Sequence, residues 1–256
     1  MERLLEALCA GCGGILEPRL AAAALVVALA GLVRGFSGFG AALLFLPLGG
    51  ALYDAKTAVL MLWVIDGIGA IPYLPPHFRR ADWRDVSLLA AGSLASMPFG
   101  TWVLTHGDPY WLRWGVCGTV LVCTLGLASG WRYRGKPSAA ATVAVGAGAG
   151  FSNASVGIGG PPLVLFWLSG QTDAARARSN IFAYFAISSA IALTLYLWHH
   201  AFTARVALQG ALLMPIYVGG LYFGNKLFAF GTDTLFRRFA FGLCGLAALI
   251  GMPLWG

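Results

Sequence analysis

Charge is what this chain has least of. Its 256 residues include 17 Lys and Arg and 10 Asp and Glu, 11% in all, where a soluble domain carries about 25%. The chain is thus about 37 charged side chains short of that composition. A water-facing globule needs those charges on its surface, so a cytosolic enzyme, a nucleic-acid binder and a disordered tail are excluded. The 59% hydrophobic content points instead to a bilayer as solvent. Metal-ligand spacing is also missing: none of the four His has a partner at a ligating interval. Cys117, Cys123 and Cys244 sit in apolar runs, where a thiol behaves as a small hydrophobe. Cys9 and Cys12 form a C-x-x-C with no second pair and no nearby His, so neither a metal nor another cofactor is expected. A cleavable signal peptide is not expected either. Glu2, Glu6 and Glu17 interrupt the N-terminal stretch, which leaves the membrane segments themselves to target the protein.

The net charge of +7 lies in short basic clusters between apolar runs rather than along one face, which fits loop orientation and not nucleic acid. The charge-free runs are Leu20 to Val33, Gly35 to Tyr53, Val86 to Thr105, Trp114 to Trp131, Pro137 to Thr172, Ser179 to Trp198, Val206 to Asn225 and Phe239 to Gly256. Thr57 to Leu74 is interrupted only by Asp66. Most are one membrane span long, about 20 residues at ~1.5 Å each. Two regions are too long. Pro137 to Thr172 as a single helix would reach about 54 Å against a hydrocarbon core of about 30 Å. A break is expected across Gly150-Phe-Ser-Asn-Ala-Ser-Val-Gly-Ile-Gly-Gly-Pro-Pro162, and a second at Arg34-Gly-Phe-Ser-Gly-Phe-Gly40.

The two breaks are related by an internal repeat. At an offset of 119, Gly31, Gly38, Gly40, Leu44, Leu46, Asp54, Ala55 and Ala58 meet Gly150, Gly157, Gly159, Leu163, Leu165, Asp173, Ala174 and Ala177. At an offset of 124, Phe99-Gly100, Gly107, Arg113 and Gly118 meet Phe223-Gly224, Gly231, Arg237 and Gly242. The chain therefore divides into an N-terminal segment (1–19, open to an amphipathic helix), repeat 1 (20–131), a basic connecting loop (132–138) and repeat 2 (139–256). The expected fold is an all-α polytopic membrane protein of 8 to 10 membrane segments, each repeat a broken glycine-rich helix or hairpin plus three spans.

Lys/Arg bias orients these segments. The basic loops around Arg79, Arg80 and Arg84 and around Arg132, Arg134 and Lys136 are separated by two spans and can share the cytoplasmic side. Placing Arg176/Arg178 and Lys226/Arg237/Arg238 there too requires 139–169 to form a hairpin of two short helices, which makes the repeats inverted. The rival topology has eight spans in parallel repeats.

Unwound backbone at membrane depth is tolerated only where it is buried in protein or lines a polar cavity. A half-helix beginning near Gly40 or Gly160 leaves unpaired N–H groups at the positive end of its dipole, a geometry suited to an oxyanion. The candidate anion site is accordingly Arg34, Gly35, Phe36, Ser37, Gly38, Phe39 and Gly40 in one half. In the other it is Ser152, Asn153, Ser155, Gly157, Gly159, Gly160 and Pro161. Arg34 abuts the first break as either an anion ligand or a snorkelling helix-end cation. Asp66, near the middle of its run, is the candidate for coupling to protons, with a structural hydrogen bond as the other reading. Asp54 and Asp173 read as helix N-caps. Arg178 and Asn180 are secondary candidates. Trp83, Trp111, Trp131 and Trp198 read as interfacial anchors.

Four sequence words resemble the TauE/SafE sulfite exporter family, also called TSUP. They are Gly35-Phe-Ser-Gly-Phe-Gly40 with Pro47-Leu48 downstream, Arg79-Arg80-Ala-Asp-Trp83, Gly157-Ile-Gly-Gly-Pro-Pro162, and Arg178-Ser-Asn180. The resemblance runs from about residue 20 onward. It implies a non-enzymatic, multi-pass transporter of the bacterial inner membrane, an exporter in the family's sense of the word, handling small sulfur-containing oxyanions such as sulfite, thiosulfate or sulfonates. The bilayer and a small anion are then its partners, with protons as a coupling ion and a homo-oligomer both open. A passive anion channel built on the same half-helices is the alternative. A remote one is a rhomboid-like intramembrane serine protease, since Gly35-Phe-Ser-Gly38 matches G-x-S-G. That chemistry needs a base within hydrogen-bond reach of Ser37, with His199 and His200 at a span end.

Overall fold

The structure, a computed structural model, describes residues 18–37, 40–129, 138–167, 174–229 and 233–254. The N-terminal segment with Cys9 and Cys12, the basic loop at 132–136, and Asp173 lie outside the described residues. Every regular element is helical. In chain order they are α1 (Pro18–Ser37), α2 (Ala41–Leu52), α3 (Ala55–Leu62), α4 (Leu74–Phe78), α5 (Trp83–His106) and α6 (Pro109–Ala128). Then come α7 (Ala139–Val156), α8 (Gly160–Trp167), α9 (Ala174–Trp198), α10 (Ala204–Ala229) and α11 (Asp233–Gly251). Among the described residues, five helices are long and apolar enough to cross a membrane: Arg19–Phe36, Trp83–His106, Pro109–Ala128, Ser179–Trp198 and Ala204–Leu227.

Helix starts are set by short polar side chains that accept otherwise unpaired backbone N–H groups. Asp54 accepts from Thr57 N at 2.8 Å, Asp82 from Arg84 N at 3.1 Å, Asp108 from Tyr110 N at 2.8 Å and Ser138 from Ala141 N at 3.2 Å. The N-cap reading of Asp54 is what the structure shows. Trp83, Trp111 and Trp198 are exposed at helix ends, as interfacial anchors require.

Two expectations are corrected. The second break is narrower than its composition suggests, because α7 stays helical through Gly150 to Val156 and only Gly157 to Gly159 interrupt it. Glycine and Asn lower helix propensity by at most about 1 kcal/mol each, and packing against α5 outweighs that. With 18 residues, α7 is also about 27 Å long, so it is not a short hairpin arm. Thr57 to Leu74 is not one span either. It comprises α3, a π-helical turn (Trp63–Ile68), a 3-10 turn (Ile71–Tyr73) and α4, broken up by Pro72, Pro75 and Pro76.

Lipid tails give helices no hydrophobic reason to associate, so close backbone contact has to supply the attraction. Two interfaces do this. Helix α1 lies on α10, and a Cβ at Gly35 would stand 2.2 Å from the Leu221 carbonyl oxygen. Helix α5 lies on α7, and a Cβ at Gly92 would stand 2.1 Å from the Val143 carbonyl oxygen. Each interface joins one half of the chain to the other. Contacts also give direction. Gly31 meets Tyr217 and Gly35 meets Leu221, so α1 and α10 run parallel; Gly92 meets Val143 and Gly100 meets Phe151, so α5 and α7 do too. The π-helical turn that extends α3 follows α10, with Val64 on Gly210 and Gly69 on Tyr217. Against α9 this turn runs oppositely, since Trp63 bonds the Ser189 carbonyl while Arg34, the ion-pair partner of the later Asp66, lies over Phe185. Helix α5 advances with α9 through Asp82–Asn180, Ser93–Tyr184 and His106–His199. Two bundles of opposite direction result, α1, α3 and α10 against α5, α7 and α9. Leu43, Leu44, Phe45 and Leu46 of α2 form the most completely buried run among the described residues.

Candidate functional site

The starts of α2 and α8 face one cavity of about 60 Å³. At about 10–15 Å³ per water, it has room for roughly four to six waters. Gly40, Ala42 and Leu43 line it from the first half, and Asn153, Gly157, Gly159, Gly160 and Pro161 from the second. Gly40, at φ 106°, turns the chain into α2, and Ala41, Ala42 and Leu43 then have no carbonyl one turn earlier within the helix. Helix α7 ends in an αL motif: Gly157, at φ 73°, donates its N–H to Asn153 O (3.1 Å), and Ile158 donates to Ser152 O (3.2 Å). That closure satisfies the last carbonyls of α7 and sends Gly159 and Gly160 back across the cavity. Both glycine breaks therefore border the same space, as their repeat relationship suggests they should.

A buried ion pair forms another wall. Arg34 stands in the last turn of α1, where the helix dipole favours a cation, and its Nε is 3.0 Å from Asp66 Oδ1. Its side chain is 5% exposed, which removes the snorkelling reading, whereas Asp66 is 21% exposed. The Tyr217 hydroxyl of α10 donates to the same Oδ1 at 2.5 Å. Among the described residues no hydrogen bond to Oδ2 is found. The Arg34 guanidinium also lies over Phe185 at 5.1 Å and Phe182 at 5.7 Å, two rings one turn apart on α9. Asp66 is brought within reach by the π-helical turn, whose extra residue widens the helix and redirects the side chain.

The remaining candidates are distributed elsewhere. Gly35 and Phe36 belong to the α1–α10 contact, where Gly35 presses on Leu221 and Phe36 on Gly224. Ser152 and Ser155 line a separate space, also bordered by Trp111 and Phe151, and the Ser155 hydroxyl donates to Phe151 O at 2.7 Å. The buried Asn180 side chain accepts from Asp82 N at 2.7 Å and so ties the start of α9 to the start of α5. Gly38, Phe39 and the side chains of Ser37 and Arg178 lie outside the described residues. His199 packs edge-on against His106 at the turn after α9.

Sequence reading missed Tyr217, Trp63, Phe185, Ser189 and Tyr196. A signal for the last three was present. Phe185, Ser189, Ala192 and Tyr196 recur at helical spacing and all line the cavity. Nothing in the sequence marks Tyr217, whose role depends on a contact between distant helices.

A family model described as "Sulfite exporter TauE/SafE" matches residues 23–250. A protein of Cupriavidus necator described as "Probable sulfite/organosulfonate exporter TauE" is 25% identical over 232 residues, covering 86% of this chain and 88% of that protein. No solved structure matches the chain significantly.

Proposed function

This chain belongs to the TauE/SafE sulfite exporter family, and from that membership we propose that it exports small sulfur-containing oxyanions across the bacterial inner membrane as a secondary transporter. The chain is a multi-pass membrane protein of a transporter family. The observation that carries the finer reading is the single cavity shared by the two glycine breaks and bordered by Arg34. Space for roughly four to six waters suits an ion such as sulfite, with one sulfur and three oxygens. Backbone N–H groups at the start of α2 and α8, the Asn153 amide and the Arg34 guanidinium supply the donors.

Alternating access follows from an inverted pair of repeats, 20–131 and 139–256. The helix directions support that relationship. Helices α1 and α7, matched by the offset of 119, lie in opposite bundles, and so do α5 and α10, matched by the offset of 124. Asp66 is the coupling carboxylate of this reading. Uptake of radiolabelled sulfite into proteoliposomes tests it. Flux saturates, Asn153→Ala raises KM several-fold, and Ser152→Ala, on the other space, leaves KM unchanged. Equal effects of the two substitutions would detach the anion from this cavity. Flux that rises linearly with concentration and carries ohmic current would identify a channel.

A further inference from the structure

Among the described residues lining the cavity, Arg34 and Asp66 are the only charged side chains, and they cancel. The site is therefore neutral when empty. A monoanion entering beside Arg34 leaves one negative charge unbalanced in the membrane interior, where an unpaired charge is most costly. A proton on Asp66 removes the imbalance: Arg34 then pairs with the anion and the carboxyl group is neutral. Resting on the transport reading above, we propose that the site carries one proton with each monoanion, that Tyr217 is the positioning residue for this exchange, and that dianions are rejected.

The geometry assigns the roles. Both contacts to Asp66 fall on Oδ1, from Arg34 Nε at 3.0 Å and the Tyr217 hydroxyl at 2.5 Å. The proton taken from the aqueous side forms its O–H bond on Oδ2, and the same bond breaks when the anion leaves. Tyr217 keeps Asp66 in place while Arg34 changes partner. It is fully buried, with its backbone carbonyl against Gly31 of α1. Among the described residues, no other charged group lines the cavity with Asp66. Helix α9 presents Phe185, Ser189 and Tyr196 to the cavity, α2 presents Ala42 and Leu43, and α7 presents Asn153. His77 is stacked on Phe182 at 4.3 Å, and the Arg34 guanidinium carbon lies 5.7 Å from the same ring. A dianion would remain uncompensated even with Asp66 protonated. Hydrogensulfite and sulfonates therefore pass, while sulfate and thiosulfate fall on the rejected side.

Full-length protein in proteoliposomes tests this with methanesulfonate, whose charge does not change with pH, and with sulfate, while an internal dye reads protons. One proton is expected per methanesulfonate, at a rate indifferent to a valinomycin-clamped potential, and sulfate flux at least tenfold lower. Asp66→Asn is expected to abolish proton movement and make methanesulfonate flux follow the potential. Tyr217→Phe removes one of the two contacts to Oδ1 and is expected to lower the proton count per methanesulfonate below one while the methanesulfonate KM stays within twofold. A merely structural Tyr217 would lower the rate and leave the proton count at one per methanesulfonate. Methanesulfonate flux without protons in the wild type, or sulfate flux equal to it, overturns the proposal whether or not the variants fold. If neither methanesulfonate, sulfite nor sulfate moves, the transport reading itself falls.

Discussion

Replacing Asp66 by Ala is the most informative test of how this interior is held together. The substitution leaves the Arg34 guanidinium, 5% exposed, with no carboxylate, and leaves the buried Tyr217 hydroxyl without its acceptor. Removing one partner of a buried ion pair costs about 3–5 kcal/mol. Asp66 itself is 21% exposed toward a cavity that can admit water, so the lower end of that range, about 3 kcal/mol, applies. The orphaned Tyr217 hydroxyl adds about 1–3 kcal/mol. The total of about 4–6 kcal/mol rivals the whole stability of many domains. Arg34→Met combined with Asp66→Ala removes the unpaired cation but not the orphaned hydroxyl, so the double variant recovers about 3 kcal/mol relative to Asp66→Ala alone. Unfolding of detergent-solubilised protein, followed by Trp fluorescence, measures all three variants. If Asp66→Ala matches the wild type, or if the double variant is no more stable than the single, the ion pair is not what balances this core.

Four further substitutions test other contacts of the fold. Gly35→Ala drives a methyl group into the Leu221 carbonyl, at 2.2 Å, and forces α1 and α10 apart by about 1 Å, at a cost of about 1–3 kcal/mol. Gly118→Ala meets nothing within 4 Å and is neutral or slightly stabilising; size-exclusion profiles of the two extracts distinguish them. Gly157→Ala combines φ 73° with a Cβ 2.8 Å from a Leu46 methyl. It should cost about 1–2 kcal/mol and weaken anion binding, read as a smaller thermal shift with sulfite. Asn180→Ala orphans the Asp82 N–H and costs about 1–3 kcal/mol, while sulfite KM stays within twofold; a large rise in KM would return Asn180 to the binding machinery.

Much of the architecture was legible because membrane helices are bounded by charge and turn chemistry, both local. Asp54, Asp108 and Pro109 announce helix starts, and the overlong run at Pro137 to Thr172 announces a break without indicating its width. Width is decided by packing. Gly150 to Asn153 remain helical because α5 offers them a close partner, whereas Gly157 takes a positive φ that ends α7. The same distinction explains the site. Gly40, Asn153, Gly157, Gly159, Gly160 and Pro161 border the cavity as the repeat suggests, yet Gly35, indistinguishable from them by composition, is a packing residue.

The sequence by itself determined the solvent, the family, the two breaks and the isolation of Arg34 and Asp66 as charges within apolar runs, since each of these follows from composition or from residues close along the chain. Only the tertiary structure decided that Arg34 and Asp66 meet, that Tyr217 joins them from α10, and that Ser152 and Ser155 face a different space from Asn153. The physical reason is that an unpaired charge is intolerable at this depth, so a partner must exist, but which helix delivers it depends on interhelical contact. That contact is set by glycines more than 100 residues apart, such as Gly35 and Gly224, and is invisible to any local pattern.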